Sequence, residues 1–291
     1  MMVLERPRTP TPPAAAPPAG GCDTHVHVFG PYDRFPLAQA PSYPPPDAPI
    51  SVVRGALATL GLDRAVLIQP APYGTDNRAL VDALASDRDA LRGVAVVDDG
   101  VGEAELAGLH AAGVRGARFI EMRVPTTGER YAGSVGVDRL AALAPAFTRL
   151  GWHAQVWGTP AQCAAAADAC ADLGVPLVFD HLAGTDAKAD PRASEWRGLI
   201  DHLKAGRVWI KLSVCRAAWA VADYGVARPI HDALVAANPG RLLWGTDFPF
   251  VRKGADAPDA GKLLDLFHDW VGDAATARRI LVDNPATLYG W

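Results

Sequence analysis

Two histidines, His25 and His27, stand two residues apart in the stretch CDTHVHVF, residues 22–29. Alternate residues of a strand share a face, so both imidazoles point the same way if this stretch is extended. A third histidine, His181, ends the apolar run VPLVFDH (175–181), and Asp247 ends RLLWGTD (241–247). Three imidazoles and a carboxylate have two chemical uses. They can hold one zinc or manganese ion. They can also work without metal, the carboxylate as general base and the imidazoles as donors to an oxygen that gains negative charge. Arg118, in VRGARFI (114–120), and Trp157, in HAQVWG (153–158), fall in two further runs of the same kind. Asp180 reads as a supporting carboxylate behind His181, and Asp23 as a brace for the first strand end. The other five histidines lie elsewhere: His153 begins a run, and His110, His202, His231 and His268 fall in helical stretches.

Side chains so far apart in sequence need a scaffold that gathers them. Eight short β-branched apolar runs recur, at 22–29, 64–70, 92–98, 114–120, 153–158, 175–181, 208–213 and 241–247. Their continuous hydrophobicity suits parallel strands covered on both faces. Helical patterns lie between them. In TPAQCAAAADACADLG, Thr159 is a predicted N-cap, Pro160 fits the first helical position, Gln162 completes a capping box and Gly174 is the expected stop. Stretches 102–113 and 137–151 also read as helices, and two more follow the last strand at about 259–270 and 273–282. This alternation predicts an α/β fold, a (β/α)8 TIM barrel, whose chemistry sits at the C-terminal strand ends. His25, His27, Arg118, Trp157, His181 and Asp247 all map to those ends, and His153 to the opposite face. No GxGxxG or phosphate loop supports an open nucleotide-binding sheet.

Residues 1–20 are proline-rich and are expected to form a mobile arm, leaving 21–291 as a single barrel domain. The proline-rich insertion 29–50 would lie beside the strand ends as a partial lid. A formal net charge of -4 leaves no basic surplus for nucleic acid and no basic run for a membrane surface. No apolar stretch reaches the roughly 18 residues of a membrane span. The four cysteines, Cys22, Cys163, Cys170 and Cys215, show no CxxC spacing and read as reduced and buried. A cytoplasmic enzyme with a small-molecule partner is the expectation, with oligomeric state open.

The motifs DTHVH (23–27), FDH (179–181) and WGTDFP (244–249) occur in that order. They are joined by HVFGPYDRFP (27–36), QPAPYGTDN (69–77), RGVAVVD (92–98) and NPATLYGW (284–291). Together they resemble the amidohydrolase superfamily, amidohydrolase 2 type, and within it the lactone hydrolases of the 2-pyrone-4,6-dicarboxylate lactonase branch. The likeness runs from about Gly20 to the C-terminus. It implies opening of a carboxylate-bearing lactone by water, with Asp247 as base and His25, His27 and His181 polarising the carbonyl. It assigns substrate binding to Arg118, Arg123, Tyr43 and Trp157. Trp157 stands where the family has a tyrosine, Ala71 where it has a hydroxyl side chain, and Arg216 near a further anion-binding arginine.

Two-metal members of the superfamily carry a lysine or glutamate on strand four and a histidine on strand five. Arg118 and Trp157 replace them here, and a cation in place of a bridging anion opposes a two-metal site. The resemblance therefore implies no cofactor, or alternatively one divalent ion, zinc or manganese, on His25, His27, His181 and Asp247. The altered residues point to an acid-bearing lactone other than pyrone dicarboxylate, muconolactone-like or derived from a sugar acid. The alternatives are a mononuclear metal-dependent hydrolase or decarboxylase of the same superfamily, and a sugar-acid lactone isomerase. The isomerase dispenses with the first histidine and the last aspartate, both present here. A non-catalytic binding protein would have no need of the set.

Overall fold

The computed structural model describes residues 6–38, 40, 43–124, 126–186, 189–218 and 221–291. Eight parallel strands follow one another around a barrel: β1 (Cys22–Val26), β2 (Arg64–Ile68), β3 (Leu91–Ala95), β4 (Val114–Ile120), β5 (His153–Trp157), β6 (Leu177–Phe179), β7 (Val208–Lys211) and β8 (Leu242–Leu243). Each pairs in parallel with its neighbour in sequence. The circle is closed by the chain beyond β8. Thr24 N–H donates to the Trp244 carbonyl (3.0 Å), Asp247 N–H to that of His25 (2.8 Å), and His27 N–H to that of Phe248 (2.8 Å). This is the expected (β/α)8 barrel. Most strands are shorter than the apolar runs that announced them, because the last residues of those runs leave the sheet to build the loops above it.

Two apolar layers hold the barrel. Cys22, Val66, Ile68, Val94, Val178, Trp209, Leu243 and Tyr289 form one buried cluster, drawn from six strands and the C-terminal helix Asn284–Tyr289. A larger cluster fills the space between strands and surrounding helices. In β1 the pairing slips by one residue between Asp23 and Val26. Such a bulge re-aims side chains and commonly lies next to a site. Here it lets β1 contribute Cys22 to the apolar cluster and still turn His25 and His27 toward the polar end.

Local signals played out with one change. Thr159 Oγ1 accepts from Gln162 N–H (3.3 Å) and Gln162 Oε1 accepts from Thr159 N–H (2.8 Å), the reciprocal capping box. The helix they open, Pro160–Ala169, stops earlier than expected, and Gly174 (φ 69°) ends the turn that follows. The proline-rich segment before β1 runs against the barrel wall. Thr11 N–H meets both oxygens of Asp259 (3.1 Å each), Ala14 N–H donates to Asp265 (2.6 Å) and Gly20 N–H to Asp63 (2.6 Å). All four cysteines are free and buried. Among the described residues no helix is long and apolar enough to cross a membrane.

Candidate active site

The C-terminal strand ends bring His25, His27, His181 and Asp247 together. His27 Nε2 lies 3.1 Å and His25 Nε2 3.5 Å from Asp247 Oδ1. The rings of His25 and His181 are 4.8 Å apart, and those of His25 and His27 5.0 Å. All four side chains are buried. His181 and Asp247 hold left-handed backbone, φ 53° and 70°, which a non-glycine residue adopts at a cost. Leu182 and Ala183 continue the left-handed turn. Thr185 caps it by donating to the Leu182 carbonyl (2.6 Å), and Gly184 passes so close to the Gly158 carbonyl that a Cβ would collide with it. The turn thus carries His181 away from the sheet and over the barrel mouth.

A second layer of polar groups fixes the first. Lys211, fully buried on β7, donates to the Thr24 carbonyl (2.9 Å) and to Gln155 Oε1 (2.8 Å), and lies 3.5 Å from Asp180 Oδ1. Asp180 Oδ1 is 3.2 Å from His25 Nδ1, and its Oδ2 accepts from Gln155 Nε2 (3.1 Å). The carboxylate beside His25 Nδ1 draws the ring proton to that nitrogen, so His25 Nε2 presents a lone pair to the site. Burial holds His25 well below the ordinary imidazole range, although Asp180 opposes the shift. Burial also lowers Lys211 to about 8, against the pull of Asp180. Asp180 is raised by burial but held well below the carboxylate range by His25, Lys211 and Arg118. Asp23 braces the floor, accepting from Thr246 Oγ1 (2.6 Å) and from the N–H groups of Thr246 and His25 (3.0 Å each).

Asp247 is gripped from the far side. Arg216 Nε and one terminal nitrogen both approach Asp247 Oδ2 at 2.6 Å, and Cys215 Sγ lies 3.5 Å away. Burial would raise this carboxyl, but Arg216 and the neighbouring histidines outweigh it and hold it well below the usual range. His181 is pushed down to about 4 by burial, so its ring is neutral at neutral pH. His27 Nδ1 lies 2.8 Å from the Ile68 carbonyl and needs a proton there. With Asp247 Oδ1 facing Nε2 as well, a second proton or a cation must sit between Nε2 and that oxygen.

The same donors fit one metal ion. His25 Nε2 is buried with no hydrogen-bond partner among the described residues, and so is His181 Nδ1. His25, His27 and Asp247 offer atoms all within 4.8 Å of one another, as do His181, Cys215 and Asp247. Each of His25 and His27 gives its other ring nitrogen to an acceptor, the arrangement that orients histidine ligands. His25, Asp180 and His181 form a third such set, which shares its histidines with the other two, while Arg118 within β4 and Trp157 at the end of β5 add no metal ligand.

Above the cluster opens a pocket. Tyr43, Ala71, Arg118, Trp157, Arg216 and Arg252 are among its lining residues. Arg118 is 5 % exposed, makes one long hydrogen bond to the Gln69 carbonyl (3.4 Å), lies 3.6 Å from Asp180, and leaves its Nε unpartnered. A buried guanidinium so poorly satisfied is an anion receptor in waiting. Burial pushes the Tyr43 phenol up to about 12, so it enters as a neutral group. Phe29 and Tyr43 of the 29–50 insertion form part of the wall.

Of the residues expected at the site, His25, His27, Arg118, Trp157, His181, Asp247 and Tyr43 converge. Arg123 does not: it is exposed beyond β4, in a backbone bridge with Arg130, and outside the pocket lining. Lys211, Gln155, Tyr131 and Arg252 were not anticipated. Lys211 had a signal, a lone cation inside the apolar run VWIKLS, where an unpaired charge is seldom buried. Arg252 and Tyr131 had none, because they reach the pocket from loops.

The model of the amidohydrolase family matches residues 22–291. The chain is 33% identical over 291 residues to a 2-pyrone-4,6-dicarboxylate hydrolase of Comamonas testosteroni, covering 96% of this chain and 93% of that one. It is 32% identical over 284 residues to a 4-sulfomuconolactone hydrolase of Rhizobium radiobacter, with the same shares covered. The crystal structure of an Agrobacterium tumefaciens protein in its apo form superposes with a TM-score of 0.83 at 24% identity, covering 97% of each chain, which shows the shared fold. The chain belongs to the amidohydrolase family and is a hydrolase of that superfamily.

Proposed function

We propose that the protein opens an acid-bearing lactone by adding water to its carbonyl. The observation that carries this reading is the placement of the Asp247–histidine cluster beneath a pocket whose wall holds the Arg118 guanidinium, buried with its Nε unpartnered among the described residues. Both similar hydrolases above are named for substrates with a ring ester and acidic groups. Arg118 takes a substrate carboxylate through its planar fork. Asp247 Oδ1 accepts a proton from the attacking water. His27 and His181 donate to the carbonyl oxygen as charge builds on it. His25 offers a lone pair rather than a proton and orients the water. The tetrahedral intermediate then expels the ring oxygen, which leaves with the proton carried by the cluster, and an open-chain acid results.

Asp247 is a weak base while Arg216 grips Oδ2. The low barrier to proton transfer therefore rests on the water and carbonyl being held together in a desolvated site, not on basicity alone. A second reading has a specific observation behind it, the bare Nε2 of His25. One divalent ion held by His25, His27, His181 and Asp247 would act as a Lewis acid on the carbonyl and acidify a bound water.

Hydrolysis of a panel of carboxylated and neutral unsaturated lactones tests the proposal. Carboxylated members are expected to turn over, and Asp247→Asn to lose about a hundredfold to ten-thousandfold in kcat. Turnover confined to neutral lactones, or near-native activity of Asp247→Asn, would overturn it. Elemental analysis of the active protein separates the two readings, since a stoichiometric metal selects the second.

A further inference from the structure

The proline-rich segment before β1 is seated against the loop that follows Asp247. Pro7 and Arg8 line a cavity with Pro44 and Pro46 of the 29–50 insertion and with Pro249 and Val251 of that loop. Val251 also lines the pocket above Asp247, so the loop is a partition between the two. Proline fixes its own φ and has no N–H. In the run PTPP, residues 10–13, Thr11 therefore holds the one backbone donor. It is spent on Asp259, together with the Thr11 hydroxyl (3.1 Å). Arg8 lies 3.9 Å from the same carboxylate, and Pro10 is buried. Asp259 Oδ1 also accepts from Gly261 N–H (2.9 Å), capping the helix Ala260–Val271. The Thr11 carbonyl passes Gly261 so closely that a Cβ there would collide with it.

We propose that segment 6–14 is a strap that holds the loop 248–258 in place as a wall of the active-site pocket, with Thr11 a positioning residue acting through Asp259. The loop needs holding. Asp247, Phe250 and Arg252 have φ of 70°, 61° and 71°, and such backbone persists only where its surroundings over-determine it. On the pocket side, Arg216 donates to the Val251 carbonyl (3.0 Å). Arg252 donates to the Tyr131 phenol (3.0 Å) and lies 5.3 Å from the centre of the Tyr43 ring. The loop after β8 is thus where the walls from β1 and β4 meet. Its other contacts are with the strap, and it runs straight into Asp259, the residue the strap grips. A proline-rich chain is stiff before it docks, so ordering it costs less than ordering a flexible arm. Asp247 itself is held by Arg216 and by its N–H on the His25 carbonyl. The strap therefore acts on the pocket wall more than on the base.

Trypsin cleavage of the folded full chain, mapped by mass spectrometry, reads the loop directly, because Arg252 and Lys253 are its cleavage sites. Cleavage at Lys211, buried inside β7, reports global unfolding. Thr11→Pro removes both donors to Asp259, and Thr11→Ser keeps them. Gly261→Ala pushes the strap away from the other side while favouring the helix, since alanine is the better helix former. A hydrogen bond to a carboxylate is worth about a tenfold shift in population or more. Thr11→Pro and Gly261→Ala are each expected to speed cleavage at Arg252 or Lys253 about tenfold, with Lys211 cleavage unmoved. Each is also expected to raise KM on the preferred lactone about threefold to tenfold, with kcat within about twofold, and Thr11→Ser to match the wild type. Equal loop cleavage in both variants overturns the strap, as does a parallel rise at Lys211 or faster loop cleavage with native KM. The kinetic half of this test rests on the lactonase reading and the proteolytic half does not. Should the wild type turn over no lactone, that reading falls and loop cleavage alone decides for or against the strap.

Discussion

The barrel buries histidines at both ends. At the N-terminal end His153 opens β5 with both ring nitrogens unpartnered among the described residues by hydrogen-bond geometry, its ring edge-on to Tyr289 at 5.2 Å and the Gly116 backbone pressed against it. At the C-terminal end His25 and His181 also have unpartnered nitrogens, but carboxylates, a buried lysine and a pocket surround them. Burial of a polar ring is common to the two ends and is therefore no mark of function. What separates them is the company. Asp247 and Asp180 give protons somewhere to go, and Arg118 gives a ligand something to hold. The difference predicts that changes at the upper end alter rate, whereas a change at the lower end alters stability alone.

After Asp247→Asn, the largest expected effect sharpens the upper half of that comparison. His27→Asn removes the nitrogen that faces Asp247 Oδ1 at 3.1 Å while keeping a polar group near the Ile68 carbonyl. Loss of one donor to a developing oxyanion costs about a hundredfold to a thousandfold in kcat. Stopped-flow or steady-state rates on the preferred lactone read this directly. A variant with native kcat and raised KM would make His27 a binding residue only.

Much of this upper end was legible in the sequence, and the reason is geometric. A barrel sends its strand ends to one face, so each apolar run ending in a polar residue nominates that residue, as with His181 and Asp247. The bulge in β1 could not be read, yet it is what keeps both His25 and His27 pointed at the site. Loop residues were less accessible. Arg123 looked well placed because it follows β4 closely, but the loop bridges back to Arg130 and turns it outward. Arg252 lies five residues after Asp247, on a loop whose left-handed turns no spacing rule anticipates. Lys211 was passed over because an apolar run was read as packing, although a cation inside such a run needs a buried partner.

A smaller effect is expected one layer down. Lys211 sits under His25 and shares Asp180 with it. With its ammonium lowered to about 8, it is charged at neutral pH and loses its proton as pH rises through that value. Asp180 then loses a neighbouring cation, and its hold on His25 Nδ1 is altered. The alkaline limb of kcat is therefore expected near pH 8. Lys211→Met is expected to lower kcat about tenfold at pH 7, as misplacement of a catalytic group does, and to abolish that limb. A limb that persists in the variant would assign it to another group.

The lower end should respond in the opposite way. His153 is lowered to about 3 by burial, with Lys211 adding to the shift, whereas an unfolded histidine titrates near 6.5. Between those values the unfolded chain binds a proton that the folded one refuses, so stability rises with pH in that window and is lost as pH falls through it. At pH 5 this one ring costs about 2 kcal/mol relative to pH 7 or above. His153→Leu, close to the histidine in volume, removes the titration. Unfolding free energies from urea titrations at pH 7 and pH 5 are expected to lie closer together in the variant by about that amount, with kcat and the pH–rate profile unmoved. Should the variant instead shift the acid limb of the rate, the two ends would be coupled through the Lys211 layer, and the division of the barrel into a working end and a packing end would fail.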